Sequence, residues 1–342
     1  VNAVTPPRLK TMRCVYVDSF SAEDLDGLKI GETEPHFPQP QSAQDPDPDT
    51  WVRVRMRAAS LNHHDLWSLK GVGLRPDALP MVLGTDGAGV TDDGDEVVIH
   101  AVITSPLWAG KETNDPHRSL LSEKYPGTFA EYVWVPRKNL LAKPSELSFT
   151  DAACLPTAYL TAYNLVFDSA QLRPGQRVLI QGASGGVATA ATQLARAAGA
   201  HVTATTRSAD NEEHARASGA HQVVETGERI PPVDAVIETV GQATWEHSLK
   251  SLKAGGVVAV AGATSGPNPS ADLNRVFFRN LRIVGTTMGS RDQLQTLMQF
   301  MVATGVRPVV FNEYDFATDS QVHHAFSDLA QSRVQGKAVL VA

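Results

Sequence analysis

Cysteine is nearly absent. The 342 residues hold only Cys14 and Cys154, far apart and outside any CxxC pair, so neither a disulfide framework nor a cluster of thiolate metal ligands is specified. Positive charge is not in excess: 30 Lys and Arg face 37 Asp and Glu, a formal net charge of −7, with no long Lys/Arg run. That excludes the usual electrostatic footprint of a nucleic-acid partner. No stretch approaches the roughly 20 apolar residues needed to cross a bilayer. The first dozen residues are polar and proline-containing rather than signal-like, so a soluble cytoplasmic protein with no membrane partner is expected. Internal repeats and low-complexity segments are missing as well. What remains is 42% apolar and 20% charged residues over a length that points to two domains, each able to bury a core.

The first third carries short β-type runs divided by turns: Met12 to Asp18, Trp51 to Ser60, Gly87 to Val90, Glu96 to Ala101 and Ala130 to Val135. Between the first two, Glu34 to Thr50 contains Pro35, Pro38, Pro40, Pro46 and Pro48 among polar residues, which argues for an extended surface loop. From about Pro144 the texture changes to alternating strands and helices. Strands are expected at Val178 to Gln181, His201 to Thr205, Ala235 to Val240, Val257 to Ala261 and Leu281 to Gly285, with helices at Ala188 to Ala198 and Thr244 to Leu252. That alternation is the mark of a parallel sheet. The tail reads as a helix near Arg291 to Thr304, a strand at Pro308 to Phe311, a helix near Asp319 to Gln331 and a final strand at Lys337 to Val341.

The strongest motif is Val178-Leu-Ile-Gln-Gly-Ala-Ser-Gly-Gly-Val-Ala188, a strand running through a glycine-rich turn into a helix of small residues. Gly182, Gly185 and Gly186 permit positive φ and close approach of a pyrophosphate to the free N–H groups of the next helix, with Ser184 and Val187 in the same turn. Read as GxGxxG/A, the first glycine is replaced by Ala183. In a dinucleotide fold the end of the second strand meets the adenosine ribose, where an acid would select NAD. Here that segment is Thr205-Thr206-Arg207-Ser208. Without an acid, and with Arg207 and Ser208 able to donate to a 2′-phosphate, NADP(H) is the expected cofactor.

Together with this turn, Asn62-His-His-Asp65-Leu-Trp67, Leu83-Gly-Thr-Asp-Gly-Ala-Gly89 and Gly127-Thr-Phe-Ala-Glu-Tyr132 resemble the medium-chain dehydrogenase/reductase superfamily over nearly the whole chain. The likeness is strongest to its quinone oxidoreductase-like and zinc-type alcohol dehydrogenase-like branch. The resemblance implies an α/β protein: a GroES-like barrel domain formed by residues 1–144 and 290–342, with a doubly wound Rossmann domain, 145–289, between them. It also implies that Val240, Gly262, Ala263, Thr286 and Met288 lie along the nicotinamide end of the cofactor. A homodimer paired through the region around Phe277 to Val284 is implied too.

Zinc-dependent members hold catalytic zinc by a Cys, a His and a second Cys, and the matching positions here are Asn62, Thr85 and Thr157. An amide and two hydroxyls lack the charge and donor strength zinc needs, so no catalytic metal is expected. The structural-zinc lobe of such relatives needs four cysteines, and Thr104 to Tyr125 contains none. Without a Lewis acid the reaction calls for an electrophilic acceptor, and quinones and conjugated enones answer that need. The candidate catalytic set is Asn62 as donor to the substrate oxygen, His64 or water as the proton source, and Asp65, which with Asn62 suits a helix start. Trp67, Leu107, Trp108 and Tyr125 either wall a small-molecule cleft or pack under loops. Two alternatives stay open: an alcohol dehydrogenase with zinc on unexpected ligands, and an NADPH-binding sensor or structural protein with little turnover.

Overall fold

In a computed structural model the residues described are 11–21, 25–34, 42 and 45–342. Pro35, Pro38 and Pro40 of the expected loop lie outside them. The chain forms two compact units: Val1–Lys143 with Tyr314–Gln331 and Val339–Ala342, and Pro144–Glu313 with Ser332–Ala338.

The first unit is built on strands β1 (Met12–Val17), β2 (Leu28–Thr33), β3 (Trp51–Ser60), β4 (Met81–Val82), β5 (Ala88–Thr91), β6 (Glu96–Ile99), β7 (Val102–Ile103), β8 (Ser119–Leu120), β9 (Tyr132–Pro136) and β10 (Leu140–Ala142). β1 pairs antiparallel with β2 and β4, with Met12 opposite Thr33 and Tyr16 opposite Val82. β3 is the long central strand of a second antiparallel sheet, taking β5 and β9 as partners, with β6 and β10 following β5. Along β3 the buried Val52, Val54 and Met56 alternate with more exposed Arg53, Arg55 and Arg57. That period of two is what a strand with one face to the core requires. The chain end returns to this sheet, where Val339, Leu340 and Val341 pair with Ser60, Ala59 and Ala58. The helix Asp319–Ala330 buries Val322, Ala325, Phe326 and Leu329, and Phe326 meets Phe129 edge to face at 5.9 Å.

One lobe of this unit, between β6 and β9, is closed by a single carboxylate. Asp115, fully buried, accepts the Ser105 N–H, the Ser105 hydroxyl and the His117 N–H, each at 2.8 Å. Burial alone would raise the Asp115 pKa, but these hydrogen bonds outweigh it and hold the carboxyl below its ordinary value. The short β7–β8 pairing and the Trp108 indole N–H on the Lys111 carbonyl, at 3.0 Å, complete the lobe.

The second unit centres on six parallel strands, β11 (Arg177–Ile180), β12 (His201–Thr206), β13 (Gln222–Glu225), β14 (Val233–Glu238), β15 (Leu252–Val260) and β16 (Arg282–Gly285). Their order is β13-β12-β11-β14-β15-β16, so the direction of winding reverses between β11 and β14, with Leu179 opposite Val236 in register. That is the doubly wound order, and its switch point is where such sheets take ligands. The strands read as apolar runs because both faces are covered: Val178, Leu179, Ile180, Val236, Ile237, Val258 and Ala259 are all fully buried. The helix Gly186–Ala197 packs Ala188, Ala190, Ala191, Leu194 and Ala195 inward, small side chains that let it lie close to the sheet.

Of residues 290–342, expected with the barrel, 290–313 and 332–338 belong instead to this unit. The reason is packing: the helix Arg291–Thr304 buries Leu294, Leu297, Met298 and Met301, and Gly289 leading into it lies where any Cβ would strike Leu160 at 2.7 Å. Ahead of the sheet, Phe149–Ala153 leads into one continuous helical segment with π-type turns at Leu155–Tyr159 and Asn164–Ser169. Among the described residues no helix is long and apolar enough to cross a membrane.

Candidate functional site

The residues expected to hold a dinucleotide all fall at the carboxyl ends of the second unit's strands. Gly182, Ser184, Gly185, Gly186 and Val187 follow β11, Arg207 and Ser208 follow β12, Val240 follows β14, Gly262 and Ala263 follow β15, and Thr286 and Met288 follow β16. Because β12, β11, β14, β15 and β16 are consecutive in the sheet, these segments form one continuous edge.

The three glycines of the turn serve different ends. Gly182 has φ +72, a left-handed conformation that a side chain would resist, and an added Cβ would come within 2.9 Å of Val240. Gly185 and Gly186, which could also take that conformation, do not. Gly185 is the extended residue capping the helix, φ −66 and ψ 152, and a Cβ on it would meet nothing in the protein nearer than the Gly182 carbonyl at 4.0 Å. Gly186 is packed against the chain itself: its Cβ would lie 3.2 Å from the Gly336 carbonyl and from the Lys337 side chain. Gly336 also donates to the Ser184 carbonyl at 3.1 Å, so the tail segment, which the sequence reading did not connect with the site, braces the turn.

Space is thus left at Gly185 that the protein does not use, beside helix N–H groups aimed outward. A pyrophosphate fits both the space and the sign of the field. Beyond β12, Arg207 is exposed, and among the described residues no hydrogen bond or ion pair engages it. Ser208 caps the helix Ala209–Ala217 by accepting from Asn211 N–H at 3.4 Å. Of the acids in that helix, Glu212 is turned to Arg216 at 2.7 Å.

Behind this edge runs a buried polar network absent from the sequence expectations. Glu238, at the end of β14 and fully buried, accepts the N–H groups of Val240 and Gly241 at 2.8 and 2.9 Å, the Thr244 hydroxyl at 2.9 Å and the Ser248 hydroxyl at 2.6 Å. Gln181 donates to Ser248 at 3.0 Å and accepts from Thr205 at 2.8 Å, and Thr205 in turn accepts the Gly182 N–H at 3.1 Å. One chain of hydrogen bonds therefore sets the glycine-rich turn against the Val240–Gly241 turn. Farther along, Met288 sits at φ 45 with its carbonyl held by the Asn164 side chain at 2.9 Å.

The expected catalytic residues lie together in the first unit, at the start of the helix His63–Leu69. Asn62 caps it, and the buried Asp65 carboxylate accepts the Asn62 N–H at 2.7 Å. The Asn62 amide nitrogen faces Asp86 at 2.9 Å, Thr85 at 3.3 Å and the Ser60 carbonyl at 3.5 Å, and Asp86 also accepts the Ser60 hydroxyl at 2.8 Å. His64 is paired with Glu123 at 3.0 Å. Of the expected wall residues, Tyr125 is buried with its hydroxyl on Asp45 at 2.9 Å and its ring against Trp51, so it packs under a loop. Trp108 closes its own lobe, while Trp67 and Leu107 are exposed.

Models of two families match the chain: the alcohol dehydrogenase GroES-like domain over residues 48–145 and the zinc-binding dehydrogenase over 186–303. A zinc-type alcohol dehydrogenase-like protein of Schizosaccharomyces pombe is 33% identical, over 84% of this chain and 90% of its own. The chain belongs to the medium-chain dehydrogenase/reductase superfamily. A quinone oxidoreductase of Mus musculus is 29% identical over 92% of this chain and 93% of its own. Among solved structures, one described as an NAD-dependent alcohol dehydrogenase is 34% identical with a TM-score of 0.86, covering 97% of this chain and all of that one. The protein is accordingly an oxidoreductase.

Several members carry zinc in their names, so the donor set deserves a test on this chain. Asn62 and Thr85 are neutral donors, the Asn62 amide is directed at Asp86, and Thr157 is a hydroxyl within a π-type turn. Asp86, which follows Thr85, already accepts from Ser60 and Asn62. Among the described residues no group of three or more His, Cys, Asp or Glu converges as a metal site. These residues do not fit zinc.

Proposed function

We propose that this oxidoreductase is an NADPH-dependent, zinc-independent reductase of a quinone or a conjugated enone. The observation that carries the reading is the coexistence of a continuous strand-end edge suited to a dinucleotide with a set of neutral donors unsuited to zinc. When bound, the dinucleotide supplies hydride, and the chain supplies alignment and polarisation. The Asn62 amide nitrogen lies 2.9 Å from Asp86 and makes longer contacts of 3.3 Å to Thr85 and 3.5 Å to the Ser60 carbonyl. Exchanging a long contact for the acceptor's oxygen gives the donor that stabilises developing negative charge. Arg207, exposed and unengaged among the described residues, is assigned to the 2′-phosphate.

The experiment is NADPH and NADH oxidation by chelator-treated, metal-assayed protein, with an ortho-quinone and a simple enone as acceptors. Turnover preferring NADPH without zinc is expected. Arg207→Ala should raise KM for NADPH about 10- to 100-fold, the scale of a lost hydrogen bond to a charged group, and leave KM for NADH nearly unchanged. Activity that returns only with stoichiometric zinc would overturn the mechanism, and equal use of both nucleotides would remove Arg207 from its role.

We also infer a homodimer. β16 ends the sheet order, leaving an open edge beside Leu273, Phe277, Phe278 and Ile283, all exposed. An unprotected edge flanked by apolar side chains is satisfied by the same edge of a second copy about a two-fold axis. Sedimentation velocity should show a dimer that becomes a monomer on Phe278→Asp with Ile283→Lys. A monomeric parent protein would refute this.

A further inference from the structure

His64, on the first turn of the helix His63–Leu69, is held by a carboxylate from a distant part of the chain. Its Nε2 lies 3.0 Å from a Glu123 oxygen, and since a carboxylate only accepts, Nε2 carries the hydrogen in that contact. The other ring nitrogen, Nδ1, is buried and has no hydrogen-bond partner among the described residues. The Glu123 carboxylate lies close to Gly73, where an added Cβ would come within 3.2 Å of the same oxygen, and the adjacent Lys124 is paired with Asp45 and not with Glu123. A histidine with one nitrogen pinned by a carboxylate and the other left open in a buried place has its tautomer set in advance.

We propose that His64 delivers the proton that completes the reduction, from Nδ1, and that Glu123 is the residue positioning it. This rests on the reductase reading above and on Asn62, two residues away, facing the acceptor. Hydride from the reduced nicotinamide adds to the acceptor with its electron pair. The resulting anion then takes the Nδ1 proton, the N–H electron pair stays on the ring, and a new O–H or C–H bond forms. Neutral His64 keeps its Nε2–H on Glu123 and is reprotonated from water.

The electrostatics agree in sign. Burial lowers the His64 pKa, but the Glu123 hydrogen bond and the negative charges of Asp65, Glu123 and Asp86 overcome it, and the net direction is upward from the ordinary value. The charged form is therefore held at higher pH than in a free histidine, and donor capacity is lost as pH rises through that raised value.

Two readouts test this. The first is the NMR titration of the His64 ring in free enzyme, which needs no turnover. The second is the pH profile of kcat with NADPH and an enone. Glu123→Gln should move the His64 titration and the alkaline limb of kcat together to lower pH. His64→Gln should abolish the limb and cut kcat by about 100-fold or more, as loss of a general acid does, with KM for NADPH and the melting temperature near the parent's. If Glu123→Gln moves the titration but leaves the limb in place, His64 is not the acid and the proposal fails while the reductase reading stands. If the parent turns over no acceptor, both fail. If the titration does not move at all, Glu123 is not the positioning residue.

Discussion

Replacing Gly185 by alanine is expected to leave the protein folded and to cost it its dinucleotide. The added methyl would meet no protein atom nearer than 4.0 Å, and the residue's φ of −66 suits any side chain. The exchange of glycine for alanine at a helix cap costs no more than about 1 kcal/mol. The same methyl would stand where a pyrophosphate needs the backbone, so the dissociation constant for NADPH should rise at least tenfold, about 1.4 kcal/mol. Gly186→Val makes the opposite prediction. Its side chain is driven into the Gly336 carbonyl and Lys337, and overpacking of this kind costs about 1–3 kcal/mol of stability. Thermal unfolding and a fluorescence titration with NADPH separate the two. Normal binding by the alanine variant at 185 would mean that the turn does not touch the cofactor.

Loss of the Glu238 carboxylate should be the most damaging single change in the second unit. In Glu238→Ala the Val240 and Gly241 N–H groups and the Thr244 and Ser248 hydroxyls lose their acceptor in a place water does not reach. At about 1–3 kcal/mol for each buried donor left unsatisfied, partly relieved by rearrangement, a loss on the order of 3–5 kcal/mol is expected in urea unfolding. Glu238→Gln keeps the shape but points an NH2 group at donors, and its effect should fall on NADPH affinity more than on folding. A Glu238→Ala protein within 1 kcal/mol of the parent would show that the network is not what holds the turn.

How much of this was legible in the sequence depends on whether the signal was local. The helix near Arg291 to Thr304 was legible because its ends are marked: Ser290 and Gln293 form a reciprocal cap, and Gly305 follows at φ 73. Five of the six Rossmann strands were legible as apolar runs, β13 being the exception, whereas Val240, Gly262, Ala263, Thr286 and Met288 came from the resemblance to the superfamily and not from the strand pattern. β2, Leu-Lys-Ile-Gly-Glu-Thr, was missed because none of its residues is fully buried and so no alternation shows. The helix Ala209–Ala217 was missed for a like reason: only His214 and Ala215 are buried, too narrow a stripe to stand out. Residues 290–313 went to the wrong unit because a helix's pattern shows that it buries a face but not against what. Glu123 and Glu238 were invisible as site residues. The first is 59 positions from His64, and the second is a lone acid ending an apolar run, which in hindsight is the only mark a buried carboxylate leaves.

The lobe tied by Asp115 has a particular way of failing. A loop clasped through thiolates is undone by oxidants and chelators, and this stretch offers neither of them a target, since Thr104 to Tyr125 contains no cysteine. Its clasp is one negative charge shared among three donors. The folded carboxyl is more acidic than the unfolded one, near 3.9 in a free chain, so the clasp is at full strength above that value. It is lost as pH falls through the lower folded one. The segment is therefore indifferent to the redox state of its surroundings, and the part of its closure that Asp115 supplies answers to a single proton instead.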